Sequence, residues 1–146
     1  MTPPDLFDSH VHLDAREFDA DRGEVLRAAR RAGVRDMLVP AIAADGWDDL
    51  HALCAAGPGL HPAYGLHPLY LDRHRDEDLD ALRDWLSSHP ASAVGECGLD
   101  FHAPGADRER QSEFLRAQLL LARRFDLPVV LHARGEVEEH ELERGL

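Results

Sequence analysis

The sequence predicts an α/β fold with a parallel sheet, on three observations. Five short apolar runs alternate with four amphipathic windows along the 146 residues. Such an alternation packs as parallel strands joined by right-handed helical crossovers. No internal repeat or linker interrupts it, so residues 1–146 read as one domain. Polar residues suited to chemistry stand at the ends of four of the five runs. At this point two architectures are open. A doubly wound sandwich of five strands fits the length, whereas a (β/α)8 barrel takes about 250 residues and would be present only in part.

The elements follow from local pattern. Leu6–His12 reads as the first strand. Asp19–Ala32 then reads as a helix, with Val25, Ala28, Ala29 and Ala32 on one face and Gly33 just past its end. Val34–Ile42, centred on Met37-Leu38-Val39, is the second strand. Asp45 is placed to cap a helix carrying Trp47, Leu50, Leu53 and Cys54 and stopped by Gly57. Leu60–Leu66 is the third strand. After a polar stretch, Glu77–Ser88 shows Leu79, Leu82 and Leu86 on one helical face. Ser92–Leu99 is the fourth strand. The longest helix covers Asp107–Phe125, with Phe114, Leu115, Gln118, Leu121, Ala122 and Phe125 along a stripe. Leu127–Ala133 is the fifth strand. The last eleven residues hold five Glu and one Arg, and read as a solvated helix or a frayed end.

Composition narrows the function classes. All 16 basic residues are Arg, against 28 acidic ones, for a net charge of −12. That field repels polyanions at long range, which argues against a general nucleic-acid or membrane-surface binder. A phosphate substrate would need metal ions or local Arg to hold it. Cys54 and Cys97 are no disulfide framework. No apolar stretch reaches membrane-spanning length and no secretory pattern opens the chain, so the expected compartment is the cytoplasm.

Ten histidines are many for this length, and their placement is informative. His10 and His12, two apart on a strand, share a face and suit a borderline metal such as zinc or manganese. Asp8, one step below on that face, is placed to orient a ligating imidazole. His67 ends the third strand before Pro68, where α/β proteins place ligands, although a turn histidine is the simpler reading. Glu96, between Gly95 and Gly98 in a buried run, needs a cation or strong hydrogen bonds, and one carboxylate can bridge two metals. His132 ends the fifth run as a further candidate ligand. Arg134 shares its face and suits a phosphate, or equally a partnership with Glu96 or Asp100. His51, His74, His89, His102 and His140 lack a second ligand at metal spacing. His61 sits lower in its strand and reads as a hydrogen-bonded core residue. Trp47, Trp85, Phe114 and Phe125 read as core, and Cys97 faces the helices.

Four motifs at strand ends, in this order, resemble the TatD-type metal-dependent deoxyribonucleases of the amidohydrolase superfamily. They are Asp8-Ser9-His10-Val11-His12-Leu13-Asp14, Gly65-Leu66-His67-Pro68, Gly95-Glu96-Cys97-Gly98-Leu99-Asp100 and Leu127-Pro128-Val129-Val130-Leu131-His132-Ala133-Arg134. Arg110-Gln111 and Gln118-Leu119-Leu120-Leu121-Ala122 look like the family's long fourth helix. The resemblance implies the N-terminal portion of a (β/α)8 barrel, truncated after about five strands, with its site at the C-terminal face. It implies metal ligation by His10, His12, Glu96 and His132, with Glu96 the carboxylate shared between two divalent ions (Zn, Mg or Mn) and central to catalysis. It places His67 near substrate phosphate, while strand position alone makes Arg134, Asp100 and Asp8 candidate substrate-contacting or supporting residues.

The implied reaction is hydrolysis of DNA or another phosphodiester by a metal-activated water. A further His and Asp ligand of the family are expected beyond Leu146, so this portion alone is expected to bind metal weakly and turn over little. Hydrolysis of esters, amides or lactones on the same scaffold is the alternative, as is a truncated, non-catalytic assembly module.

Overall fold

The computed structural model describes residues 5–136; the expected acidic terminal segment, 137–146, lies outside the described residues. Five strands, β1 (Leu6–Asp8), β2 (Val34–Pro40), β3 (Leu60–Tyr64), β4 (Ala93–Asp100) and β5 (Val129–Arg134), alternate with four helices. These are α1 (Arg22–Ala32), α2 (Trp47–Ala55), α3 (Glu77–Ser88) and α4 (Arg108–Phe125). One parallel sheet holds all five strands in the order β1-β2-β3-β4-β5. A doubly wound sheet reverses its order at a switch point. In-order winding is instead how a (β/α)8 barrel grows, and the five strands curl into a half-barrel.

The apolar core lies between the sheet and its helices. Met37 and Val39 of β2, Trp47 and Leu50 of α2, Tyr64 of β3, Leu82 of α3 and Phe114 of α4 form one buried cluster. Cys97 and Leu99 of β4 pack with Leu115 and Leu119 of α4 in a second, so Cys97 does face the helices. Trp85 and Phe125 are only half-buried against the first cluster. Helix ends follow their capping chemistry. Gly33, at φ +102°, closes α1 by donating to the Ala29 and Arg30 carbonyls. Asp107 opens α4 by accepting from the Arg110 N–H.

Several boundaries differ from the sequence pattern, each for a local reason. Strand β1 ends at Asp8 rather than His12, because the Asp8 carboxylate accepts the His10 N–H and turns the chain out of the ladder. Helix α1 starts three residues late: Asp19 is held by Arg22 and a 3-10 turn covers Arg16–Phe18. Asp45 caps nothing; it sits in a 3-10 turn and pairs with Arg73 at 2.7 Å. Strand β3 ends at Tyr64, and His67 begins a 3-10 stretch over Pro68–Arg73.

Strand β4 is buried along its whole length and irregular where that matters. Gly95 pairs with Val130 and Cys97 with Leu131, which leaves Glu96 as an extra residue in a bulge. A bulge re-aims a side chain out of the pleat. Gly98, at φ +148°, lies against the His132 carbonyl of β5 so closely that a Cβ there would collide with it.

Candidate metal centre

The bulge turns Glu96 into a space that four imidazoles share. His10 Nε2 lies 2.9 Å and His12 Nε2 3.0 Å from Glu96 Oε2, and the two ring nitrogens are 3.2 Å apart. On the other carboxylate oxygen, Oε1, His67 Nε2 stands at 3.3 Å and His132 Nδ1 at 3.2 Å. His10, His12 and Glu96 thus form one potential ligand group, and His67, Glu96 and His132 a second. Although His10 and His12 lie beyond β1, the Val11 N–H still bonds the Leu38 carbonyl of β2 and holds this stretch beside β2.

Hydrogen bonds at the opposite ring atoms decide which nitrogens are available. His12 Nδ1–H donates to the Pro40 carbonyl (3.0 Å), which turns Nε2 toward Glu96. His132 Nε2–H donates to Asp100 Oδ2 (2.8 Å), which leaves Nδ1 toward Glu96. His67 differs: its Nδ1 accepts the Leu69 N–H at 3.1 Å, so a neutral ring carries its proton on Nε2. His67 is therefore a hydrogen-bond donor at this site rather than a free lone pair.

The charges are arranged as for a cation. Burial favours the neutral Glu96 carboxyl, but hydrogen bonds from His12 and His67, and the charges of His67 and His10, hold it well below the usual carboxylate range. His12 is raised in turn, chiefly by its hydrogen bond to Glu96 and against its burial. A buried anion ringed by ring nitrogens is the donor set that zinc or manganese takes. Edges of 2.9–3.2 Å in the first group are a little shorter than the ~3.3 Å that follows from tetrahedral zinc bonds of ~2.0–2.1 Å.

Beyond the ring stands Asp100, with no exposed surface. Burial pushes its carboxyl up, but the His132 hydrogen bond, the Ala103 N–H and Arg134 outweigh this and leave it below the usual range. Arg134 Nε reaches Asp100 at 3.0 Å, so the arginine partners Asp100 and not Glu96. Asp8 does not orient an imidazole; it binds the His10 backbone instead. A cavity of about 400 Å³ lies between Pro68–Asp72 and Ala103–Asp107, lined also by Gln111, and none of the candidate ligands lines it.

The remaining histidines divide. His61 pairs with Asp36 at 2.8 Å, but its side chain is 39% exposed, so it is hydrogen-bonded without being core. His74 is buried, with Nε2–H donating to the His67 carbonyl at 2.8 Å. Sequence reading passed over Gln111 as a functional residue, although it is buried and bonds Asp100 through both amide atoms. The available signal was an amide on the buried face of an amphipathic helix.

Comparison with known proteins gives a consistent picture. The family model described as TatD related DNase matches residues 7–143. The chain is 42% identical over 131 residues to the uncharacterized metal-dependent hydrolase YjjV of Escherichia coli, covering 88% of this chain and 51% of that protein. It is 38% identical over 141 residues to the 3'-5' ssDNA/RNA exonuclease TatD of Erwinia tasmaniensis, covering 93% and 52%. The crystal structure of the Escherichia coli YjjV protein, a TatD homolog, superposes with a TM-score of 0.85 at 40% identity, over 88% of this chain and 51% of that one. The chain spans about half the length of the curated relatives it matches.

Proposed function

Since the chain belongs to the TatD related DNase family, we propose that it carries metal-binding residues of a hydrolase that cleaves phosphodiesters of single-stranded nucleic acid. The observation that carries this reading is Glu96, whose two carboxylate oxygens each face a separate pair of histidines. His10, His12 and Glu96 Oε2 would hold one divalent ion, and Glu96 Oε1 with His132 Nδ1 a second. Such ions, when bound, polarise a phosphoryl oxygen and lower the pKa of a bound water. They also answer the charge problem, because local cations attract phosphate where a net charge of −12 does not.

The chain's own groups do the rest. His67, its ring pinned by the Leu69 N–H at Nδ1, supplies a fixed Nε2–H donor beside Glu96. Asp100 keeps the His132 Nδ1 lone pair directed inward. Arg134, half-exposed and anchored on Asp100, offers its outer N–H groups to an anion. The first ion has three described donors and the second has two beside the His67 N–H, so the first site binds more tightly. Relatives named as ssDNA/RNA exonucleases support this substrate class over esters or lactones.

The test is calorimetric titration with zinc and with manganese, followed by nucleotide release from single-stranded DNA. Metal binding that vanishes in Glu96→Ala, with any cleavage strictly metal-dependent, is the expected result. Metal-independent cleavage, or unchanged metal binding in Glu96→Ala, would refute it.

A further inference from the structure

Strands β3 and β4 pair only at Ala63↔Ala93 and Tyr64↔Val94. Beyond that point the ladder stops although the backbones stay close, Gly65 lying against Gly95, and the Leu66 and Asp100 backbone groups have no partner in a β3–β4 ladder. Two glutamines of α4 occupy these vacant positions. Gln118 Oε1 accepts the Leu66 N–H at 2.8 Å, and its Nε2 donates to the Leu66 carbonyl at 3.1 Å. Gln111 Oε1 accepts the Asp100 N–H at 2.7 Å, and its Nε2 donates to the Asp100 carbonyl at 3.0 Å. Each side chain copies what a neighbouring strand residue would present, a donor and an acceptor to one partner.

Both amides are buried, Gln118 completely, on a helical face shared with Phe114, Leu115 and Ala122. An amide is costly there unless all its groups are paired. Positions 111 and 118 are seven apart, two turns and about 10 Å along one face. That spacing spans two strand ends. Leu66 immediately precedes His67, and Asp100 is the acceptor that orients His132.

We propose that Gln111 and Gln118 are paired positioning residues: they complete the backbone bonding at the ends of β3 and β4 and set the places of His67 and of the Asp100–His132 pair about Glu96. The metal part of the test rests on the function proposed above. The tautomer part does not.

The experiment labels the histidines of the 146-residue chain with nitrogen-15 and reads ring tautomers by long-range proton–nitrogen spectra in metal-free buffer. Zinc is then titrated by calorimetry, and circular dichroism confirms folding. Wild type is expected to show His132 and His67 as Nε2–H tautomers. Gln111→Met should mix the His132 tautomers and weaken zinc binding by about 10-fold or more, while leaving His67 unchanged. Gln118→Met should disturb His67 and leave the His132 tautomer alone. If Gln111→Met fails to fold, Gln111→Glu keeps an acceptor for the Asp100 N–H and should give an intermediate His132 tautomer ratio.

Folded variants that lose stability but keep wild-type tautomers and zinc affinity would overturn the proposal, as would a Gln111→Glu chain with the wild-type His132 signal. A wild type that binds no zinc would refute the metal reading alone, with the tautomer comparison still deciding this one.

Discussion

Asp100, without exposed surface, accepts the His132 Nε2–H over 2.8 Å and is itself gripped by Arg134 at 3.0 Å. A carboxylate behind a histidine fixes which ring nitrogen is left free and raises its basicity. Here the free atom is Nδ1, 3.2 Å from Glu96. The order of influence runs from Arg134 through Asp100 and His132 to the carboxylate at the centre.

Replacing Asp100 by Asn keeps the shape but removes the charge that Arg134 and His132 share. Zinc affinity should fall by about 10- to 100-fold, with the loss confined to the group that contains His132. Calorimetric titration of Asp100→Asn against wild type measures this. Equal affinities would mean that Asp100 only supports the β4 end.

Glu96 concerns both groups at once. A ligand that binds only the folded chain stabilises it by about 2.7 kcal/mol at a hundredfold excess over Kd. Wild type should therefore gain a clear rise in Tm with zinc, and Glu96→Gln should gain little. Without metal Glu96→Gln should unfold at the lower temperature near neutral pH, because the fold holds the Glu96 carboxyl below its ordinary range and the substitution leaves the facing histidines without their counter-charge. Thermal unfolding with and without zinc checks both parts.

Periodicity made much of the fold legible. The Leu79, Leu82 and Leu86 face predicts α3 with its observed limits, Glu77–Ser88. The pattern failed where side chains replace the ladder. Asp8 takes the His10 N–H, and Gln118 takes the Leu66 backbone, so β1 and β3 stop short of the residues they present. Strand parity still brought His10 and His12 together, since the Val11 N–H keeps to β2 after the strand has ended. Parity could not reveal that His67 accepts the Leu69 N–H, because that bond depends on the 3-10 turn after it. Nor could it show which carboxylate Arg134 would choose.

His74 provides a pH test one hydrogen bond behind His67, outside both potential ligand groups. Its ring is buried against Phe114, and no described group pairs with Nδ1, so burial lowers its pKa from the ordinary 6.5 despite the bond to the His67 carbonyl. Between the lowered value and 6.5 the unfolded chain binds more protons than the folded one. Stability from this group is therefore complete above 6.5 and is lost as pH falls below it. His12 is shifted the other way, so His74 must be isolated by difference. From about pH 7.5 to about 5.5, urea unfolding should show His74→Phe losing less stability than wild type. An equal or larger loss would contradict the assignment.

The closest backbone approach in the site offers the sharpest stability contrast. Gly98 pairs with His132 across β4 and β5 at φ +148°, and an added Cβ would meet the His132 carbonyl, an atom that no side-chain rotation can move. Gly98→Ala must therefore push β5 away and carry His132 with it. A loss of about 2–4 kcal/mol is expected, or failure to fold. Gly46→Ala is the matched control: it has ordinary negative φ and no atom within 4 Å of the new Cβ. It should change stability by no more than about 0.5 kcal/mol. Urea midpoints for both variants decide the matter. Similar midpoints would mean that β4 and β5 yield easily at Gly98, and that Glu96 and His132 are not held by strand contact. A large difference, with zinc affinity in any folded Gly98→Ala lowered as well, would tie the placement of His132 to that single missing methyl group.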